Sequence, residues 1–501
     1  MPLNAQPIAA LRGRLAFLAI ALTLALLGAM SLSALDASSA GAAQTVTAQS
    51  SSASSQRSIA SQARNQCRRV KGAAQKRRCI ASRTRVLKRK AAARARARAA
   101  ARRRARARAR ARAIAIRDKG KVGVMSRNVY LGADLGPAIR ASSIQQFVNA
   151  NGEILRNVDE NNFPVRARGL AAEIISKSPD LVGLQEVALW RTSDKPTFFK
   201  NKPNDPPESF TSKTVKYDYL QLLMDQLNKG KQRYRVVTVT NEFDFEGPAN
   251  YDGSPDGVGE INGRLTMRDA ILAKVGADIK TRNPQGANYS TFYAPVISGF
   301  NVTVDRGWNS AEVKVRNSPW FKFVNTHLES FGDDKNKVVD CMTTPPEGYE
   351  SNPVSIRCSQ AKELAESVIA PSSLPVVLTG DLNSDDNTVV DANCPSAANT
   401  AGTLPGNNGG VCGDTFAYNA LLSNGLTDLS TEDVMSCCLN SDVLTDDRGS
   451  LTDFDHHIDH IMTNQPAKVK GLSTSITGLA PANGYWNSDH AGDYTLMRIT
   501  P

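Results

Sequence analysis

From Arg83 to Arg117 the chain is built almost entirely of arginine and alanine, much of it in strict alternation. Two-residue alternation spreads arginine all round a helix, or sets it on one side of a strand. Neither form has an apolar face to bury, so this stretch contributes nothing to a core. Charge marks the same boundary. Residues 1–120 hold 27 Lys+Arg against 2 Asp+Glu, whereas residues 121–501 hold 34 against 46. The overall +13 is thus the sum of a +25 arm and a −12 remainder. An acidic domain does not bind polyanions by bulk charge. A mean hydropathy of −0.32 excludes a polytopic membrane protein.

Arg12 and Arg14 precede a nearly uncharged apolar run, Leu15–Leu35, and Ala40-Gly41-Ala42 follows as a cleavage signal. Residues 1–43 are therefore read as a secretory signal peptide. The run is also about long enough to span a bilayer, so an uncleaved anchor is the alternative, tethering the protein to the cell surface through residues 15–35. Either way the expected location is secreted or extracytoplasmic. Residues 44–120 read as a low-complexity basic linker. Its Ser/Ala/Gln-rich start, 44–65, suits a flexible tether. Like-charge repulsion leads us to expect a mostly disordered arm over 83–117. Such an arm suits adhesion to nucleic acid or to an anionic envelope, although compositional drift in a linker would leave the same pattern. It carries no aromatic residue for base stacking.

The eight cysteines fit an exported chain. Cys67 and Cys79 lie in the arm; Cys341, Cys358, Cys394, Cys412, Cys437 and Cys438 lie in the acidic part. Cys341–Cys358 and Cys394–Cys412 would each close a short loop, and the vicinal Cys437-Cys438 complicates any simple scheme. No Cys-x-x-Cys spacing points to zinc.

Residues 121–501 read as one domain in which short apolar runs alternate with helical patterns. Strands are expected at Val122–Met125, Leu181–Leu184, Arg235–Thr240, Ala270–Lys274, Ala311–Val315, Phe321–Asn325, Leu374–Leu378, Ile458–Met462 and Tyr494–Ile499. Helices are expected at Ala167–Ser176, Tyr219–Leu227 and Gln360–Ile369. Several strands follow one another without a helix between, which suggests α/β layers on mixed sheets.

Polar residues cluster where these strands end, the place where α/β sandwiches commonly hold ligands. The segments are Ser126-Arg127-Asn128, Leu184-Gln185-Glu186-Val187, Asn325-Thr326-His327-Leu328, Gly380-Asp381-Leu382-Asn383-Ser384, Ile458-Asp459-His460-Ile461 and Asn487-Ser488-Asp489-His490. All five histidines, His327, His456, His457, His460 and His490, fall in or beside them. A carboxylate at the end of an apolar strand must be solvated, paired or metal-bound. Oxygen donors without cysteine favour Mg²⁺, with Mn²⁺ or Ca²⁺ as alternatives. His490 supplies a group of the type that ordinarily titrates near neutrality, and Asp459 is suited to orient such a ring. A zinc cluster of Asp455, His456, His457 and His460 is disfavoured, because strand alternation would set His457 opposite the other two.

Singly, each segment reads equally well as a turn or a surface loop. In this order, the set resembles the endonuclease/exonuclease/phosphatase superfamily, the deoxyribonuclease I-like fold, across about residues 121–501. The resemblance implies a four-layered α/β sandwich with two central mixed sheets. It further implies that Glu186, with Asn128 and Asp489, holds the divalent metal. Asn128, His327, Asn383 and His490 would contact phosphate. Asp381 and Asn383 would orient the attacking water, and Asp459 would pair with His490. Together His327, Asp381, Asn383, Asp459 and His490 form the catalytic set that it implies. Asp269 is a candidate partner for His327. The inserts Arg191–Val215, Met342–Ile356 and Pro395–Cys412 exceed what a minimal nuclease needs.

The expected activity is Mg²⁺-dependent hydrolysis of a phosphodiester by in-line attack of water, with nucleic acid as the favoured substrate and a monomer as the expected state. The alternatives are a phospholipid head-group phosphodiesterase of the sphingomyelinase kind or a phosphomonoesterase. A non-enzymatic adhesion protein, in which only the arm matters, is the remaining reading.

Overall fold

Runs such as Val122–Met125 and Val376–Leu378 are apolar at every position because both of their faces are covered. The computed structural model describes residues 57–117, 119–194, 196, 199–202, 204–254, 259–276, 278–333, 338–342, 344, 353–386, 415–431 and 435–501. The signal segment, most of the Ser/Ala/Gln tether, Cys394 and Cys412 lie outside these residues. The chain divides into two units, Met1–Ile116 and Arg117–Pro501.

In the first unit, residues 57–66 are helical and Ala73–Arg117 (α1) forms a 45-residue helix. The expected disorder is therefore not found. Alanine and arginine are among the strongest helix formers, and their summed preference over so long a run outweighs repulsion between exposed guanidinium groups. Cys67 is bonded to Cys79. Among the described residues no helix is long and apolar enough to cross a membrane.

In the second unit the described residues form a nine-stranded sheet, a six-stranded sheet and a short hairpin. Along the larger sheet run Val469–Thr477 (β16), Gly492–Ile499 (β17), Lys121–Asn128 (β1), Leu181–Gln185 (β2), Ile261–Lys274 (β7), Leu189–Ser193 (β3) and Thr214–Asp218 (β5). Tyr234–Ala249 (β6) also pairs with β7, and Lys200–Lys202 (β4) with β6. The smaller sheet runs Thr427–Asp428 (β14), Asp459–Thr463 (β15), Val376–Asp381 (β13), Phe321–His327 (β12), Gly307–Val315 (β11) and Ile279–Asn288 (β8). The hairpin is Val296–Ile297 (β9) with Phe300–Asn301 (β10). Both large sheets are mixed, with β1–β2 and β12–β13 parallel.

Alternation along each strand builds the layers. Val122, Val124, Leu181, Ile271 and Ala273 of the larger sheet pack against Val313, Phe321, Phe323, Val377 and Ile461 of the smaller. Their neighbours Met125, Val182, Ala270 and Leu272 face outward to helices Ile144–Glu160 (α3), Phe163–Lys177 (α4) and Tyr219–Leu227 (α5), while the short Gly136–Ile139 (α2) adds Ala138. On the opposite side Val324, Val376, Leu378 and Met462 meet Ile356–Glu363 (α6), its wider π-type continuation Leu364–Ile369, and Phe416–Ser423 (α7). The result is the four-layered α/β sandwich. Tyr219, Leu223 and Leu227 place one apolar stripe of α5 inward, and Asp218 caps its start by accepting from the Gln221 amide at 3.2 Å.

One buried carboxylate gives a stability test away from the strand ends. Glu246 on β6 accepts from the Thr211 amide at 3.0 Å, the Ser212 amide at 2.9 Å and Asn262 Nδ2 at 2.7 Å. Burial works against its charge, but these donors prevail and hold the carboxyl below its ordinary 4.5. Glu246→Gln is expected to cost about 1.5–3 kcal/mol near neutral pH, the usual worth of hydrogen bonds to a charged group. A depressed folded-state value contributes stability above the ordinary carboxylate range and loses it as pH falls through the lowered value. The gap in urea midpoint between wild type and variant should therefore close as the pH is lowered below 4.5.

Candidate active site

Sheet register alone assembles half of the candidate residues. His327 at the end of β12 stands opposite Asp381 at the end of β13, and Asp381 stands opposite Asp459 at the start of β15. In the other sheet Asn128, ending β1, is paired with Gln185, so Glu186 follows directly beside it. The two sheets meet here, with Asn128 Nδ2 donating to Asp381 Oδ2 at 2.9 Å. Glu186 and Asn383 both sit just past strand ends with left-handed backbones, φ 59° and 48°. This turns each side chain back over its strand end. Glu186 accepts from the Leu131 amide at 2.7 Å, and Asp381 Oδ1 accepts from the Asn383 amide at 2.9 Å.

The segment Asn487–His490 is held over these strand ends by two buried arginines. Arg166 Nη1 donates to the carbonyls of Val129 at 3.0 Å and Asn487 at 2.9 Å, and its Nη2 to Tyr130 at 3.0 Å. Arg127 donates to Glu173 at 3.1 Å through Nε and to the His490 carbonyl through Nη1. Ser488 Oγ adds a 2.9 Å bond to the Asn128 carbonyl. His490 is thereby fixed with Nδ1 2.8 Å from Asp459 Oδ2 and Nε2 3.7 Å from Asp381 Oδ2. The sulfurs of Cys437 and Cys438 lie 3.6 and 3.9 Å from Nε2.

The two candidate histidines are driven in opposite directions. Burial opposes the charge on His490, but Asp459, Asp381 and Asp489 overcome it and raise the ring well above 6.5. These anions favour the imidazolium form. Burial lowers His327 well below 6.5, and Arg306 and His490 add to the effect. Arg306 Nη1 lies 3.1 Å from His327 Nδ1. A guanidinium can only donate, so Nδ1 accepts and the neutral ring keeps its proton on Nε2. That N–H faces Asp381 Oδ2 at 3.4 Å; Asn383 Nδ2, 3.1 Å from the same nitrogen, is itself a donor and gives its proton to the Leu328 carbonyl at 2.9 Å. Burial raises Asp381 to about 6 despite the His490 charge.

Glu186 and Asp489 are both partly exposed. Burial, and then the Asp489 charge, raise Glu186 to about 7. Two mutually repelling carboxylates, both partly exposed, could hold a hard cation.

All eight candidate residues thus converge. Arg306 was not among them, although a basic residue directly before an apolar strand in Asp305-Arg306-Gly307 was a usable signal. It is buried against Glu329 at 3.5 Å. Asp269 brings a carboxylate oxygen within 4.8 Å of a His327 nitrogen, together with Glu242, but the contact on Nδ1 belongs to Arg306. Cys341 is bonded to Cys358, as its spacing suggested. The alternation invoked for the remaining histidines does not hold. Strand β15 begins only at Asp459, so His457 precedes it, and its ring lies 4.4 Å from that of His460.

The profile of the Endonuclease/Exonuclease/phosphatase family matches residues 147–490. No curated protein matches the chain. Among solved structures, an endonuclease/exonuclease/phosphatase family protein from Bacteroides thetaiotaomicron is similar at 14% identity and TM-score 0.41, covering 76% of this chain and 99% of that one. A mannosyl-6-phosphatase from the same organism is similar at 14% identity and TM-score 0.38, over 75% and 100%. The D. rerio TDP2 complexed with a single-strand DNA product is similar at 15% identity and TM-score 0.38, over 76% and 99%.

Proposed function

Because the chain belongs to the endonuclease/exonuclease/phosphatase family, a family of phosphoester hydrolases, we propose that it is an exported, divalent-metal-dependent phosphodiesterase of the nuclease type. The observation that carries the reading is the row His327–Asp381–Asp459, set in register and joined to Asn128 across the two sheets. The donor set at Glu186 and Asp489 is all oxygen, which suits Mg²⁺ with Asn128 assisting, and Mn²⁺ or Ca²⁺ in its place. Such a cation neutralises charge that grows on the phosphoryl oxygens.

The protein's own groups divide the remaining work. Asp381, raised only to about 6, is mostly ionised at neutral pH and accepts a proton from the attacking water. Asn128 fixes that carboxylate, and Asn383 helps to orient the water. His490, cationic and held by Asp459, donates to a phosphoryl or leaving oxygen. His327 donates from Nε2 while Arg306 holds its other nitrogen. The test is hydrolysis of plasmid DNA, RNA, sphingomyelin and small phosphate esters, with and without EDTA. Cleavage of a nucleic acid that EDTA abolishes is expected; turnover undiminished in excess EDTA sinks the reading.

A second reading, a phospholipid head-group phosphodiesterase, is favoured by one observation. The β9–β10 hairpin leaves Val296 65% and Phe300 38% exposed. Beside it an apolar pocket, lined by Ile139, Phe147, Leu265 and Val302, ends on Arg306, the residue that meets His327. Dominant turnover of sphingomyelin in the same panel would select it.

The arm enters as a proposed polyanion grip. Deleting residues 44–117 is expected to weaken DNA binding and to flatten its dependence on salt, since the slope falls by about one for every phosphate that the arm no longer neutralises. An unchanged slope reduces the arm to a linker.

A further inference from the structure

Three histidines take no part in the proposed chemistry, and two of them, His457 and His460, are arranged as metal ligands are. His457 is 2% exposed; its Nδ1 lies 2.8 Å from Asp386 Oδ2, and its Nε2 has no hydrogen-bond partner. His460 is 1% exposed; its Nε2 lies 3.1 Å from the Ser384 carbonyl, and its Nδ1 lies 2.9 Å from Asp428 Oδ2. A carbonyl only accepts, so Nε2 of His460 carries a proton; Nδ1 donates to Asp428 Oδ2, and a cation seated between those two atoms would take the place of that proton. A metal-bound imidazole typically gives its second N–H to a carboxylate or a backbone carbonyl, which fixes the tautomer and aims the other nitrogen. Both rings follow that pattern.

Asp428, His457 and His460 each offer a ligand atom, all within 4.8 Å of one another. Asp493 on β17, fully buried with neither carboxylate oxygen hydrogen-bonded, adds negative charge that acts on His457 and favours a cation there.

We propose that Asp428, His457 and His460 form a second cation site, distinct from the one at Glu186 and Asp489, and that its ion is Zn²⁺. Two imidazoles with a carboxylate and no sulfur suit zinc, whereas magnesium and calcium prefer oxygen alone. Three protein ligands leave the fourth position of a tetrahedral shell to water. Asp428 comes from β14 and His460 from β15 of the smaller sheet, and His457 from the segment just before β15. The ion would brace this end of β15 beside Asp459, which precedes His460, and Asn383, which precedes Ser384.

The experiment uses untagged, chelator-stripped, full-length protein in excess Mg²⁺, titrated with Co²⁺ and then Zn²⁺. The expected result is a tetrahedral Co²⁺ spectrum at one ion per chain, without a sulfur-to-metal charge-transfer band, that Zn²⁺ displaces. Glu186→Gln should keep it. Asp386→Asn should weaken the affinity by about 10–100-fold, and His457→Gln by at least as much. The absence of a tetrahedral ion in Mg²⁺-saturated wild type, or equal affinity in folded His457→Gln, overturns the proposal. So does a thiolate charge-transfer band, which would move the ion to a cysteine. Should His457→Gln fail to fold, the wild-type and Glu186→Gln titrations decide on their own.

Discussion

Glu186→Ala and His490→Ala are each expected to lower turnover of bis-p-nitrophenyl phosphate by about 10²–10⁴-fold, the usual cost of removing an electrostatic or acid–base group. The fold should survive the first change, and its melting temperature should not fall. Glu186 carries a charge that is disfavoured by burial and by Asp489, so removing it relieves repulsion. In His490→Ala the loss has a different origin. An imidazolium suspended between Asp459 and Asp381 disappears, and two carboxylates are left without the cation that stabilised them. Some loss of thermal stability is therefore expected as well. Undiminished hydrolysis by either folded variant would remove the proposed mechanism.

Asp459→Asn should cost as much as His490→Ala in rate, up to about 10⁴-fold by comparison with hydrolases whose histidine loses its aspartate. Its distinguishing mark is the pH profile. His490 stays protonated far above 6.5 because Asp459 heads the anions around it. Without that anion the ring loses its proton at lower pH, and the alkaline limb of the rate moves down. The acid limb belongs to Asp381, held at about 6 partly by repulsion from Asp459. Without that repulsion Asp381 ionises at lower pH, so this limb moves down too. Both limbs should shift the same way, and an NMR titration of His490 should show the same fall. A variant whose rate drops while both limbs stay in place would make Asp459 a merely structural residue.

Much of the fold was legible because the central strands carry their own signal, whereas strands such as β3, β5, β8 and β16 were not expected. Helix α5 spans Tyr219–Leu227, the very range expected from the sequence. The candidate residues were legible for a related reason: a carboxylate or histidine that ends an apolar run has nowhere inert to go. What remained hidden depends on bonds between distant segments. Arg306 reaches His327 across 21 residues, Arg166 reaches Asn487 across 321, and no local pattern announces either bond. Helix α3 was missed although Phe147, Ile154, Leu155 and Val158 form a buried stripe, because polar residues dilute it. The pairing of His457 with His460 escaped because alternation was applied to residues that lie before the strand begins. The arm was misjudged by weighing repulsion above intrinsic preference.

That arm carries one further consequence. Each step along α1 turns about 100°, so every second residue advances about 200°. Successive arginines in the alternating stretch therefore point almost oppositely, and the pattern drifts slowly round the axis. No side of the rod is preferred over another. An anionic polymer held in the way proposed above would therefore meet the same charge from any direction of approach.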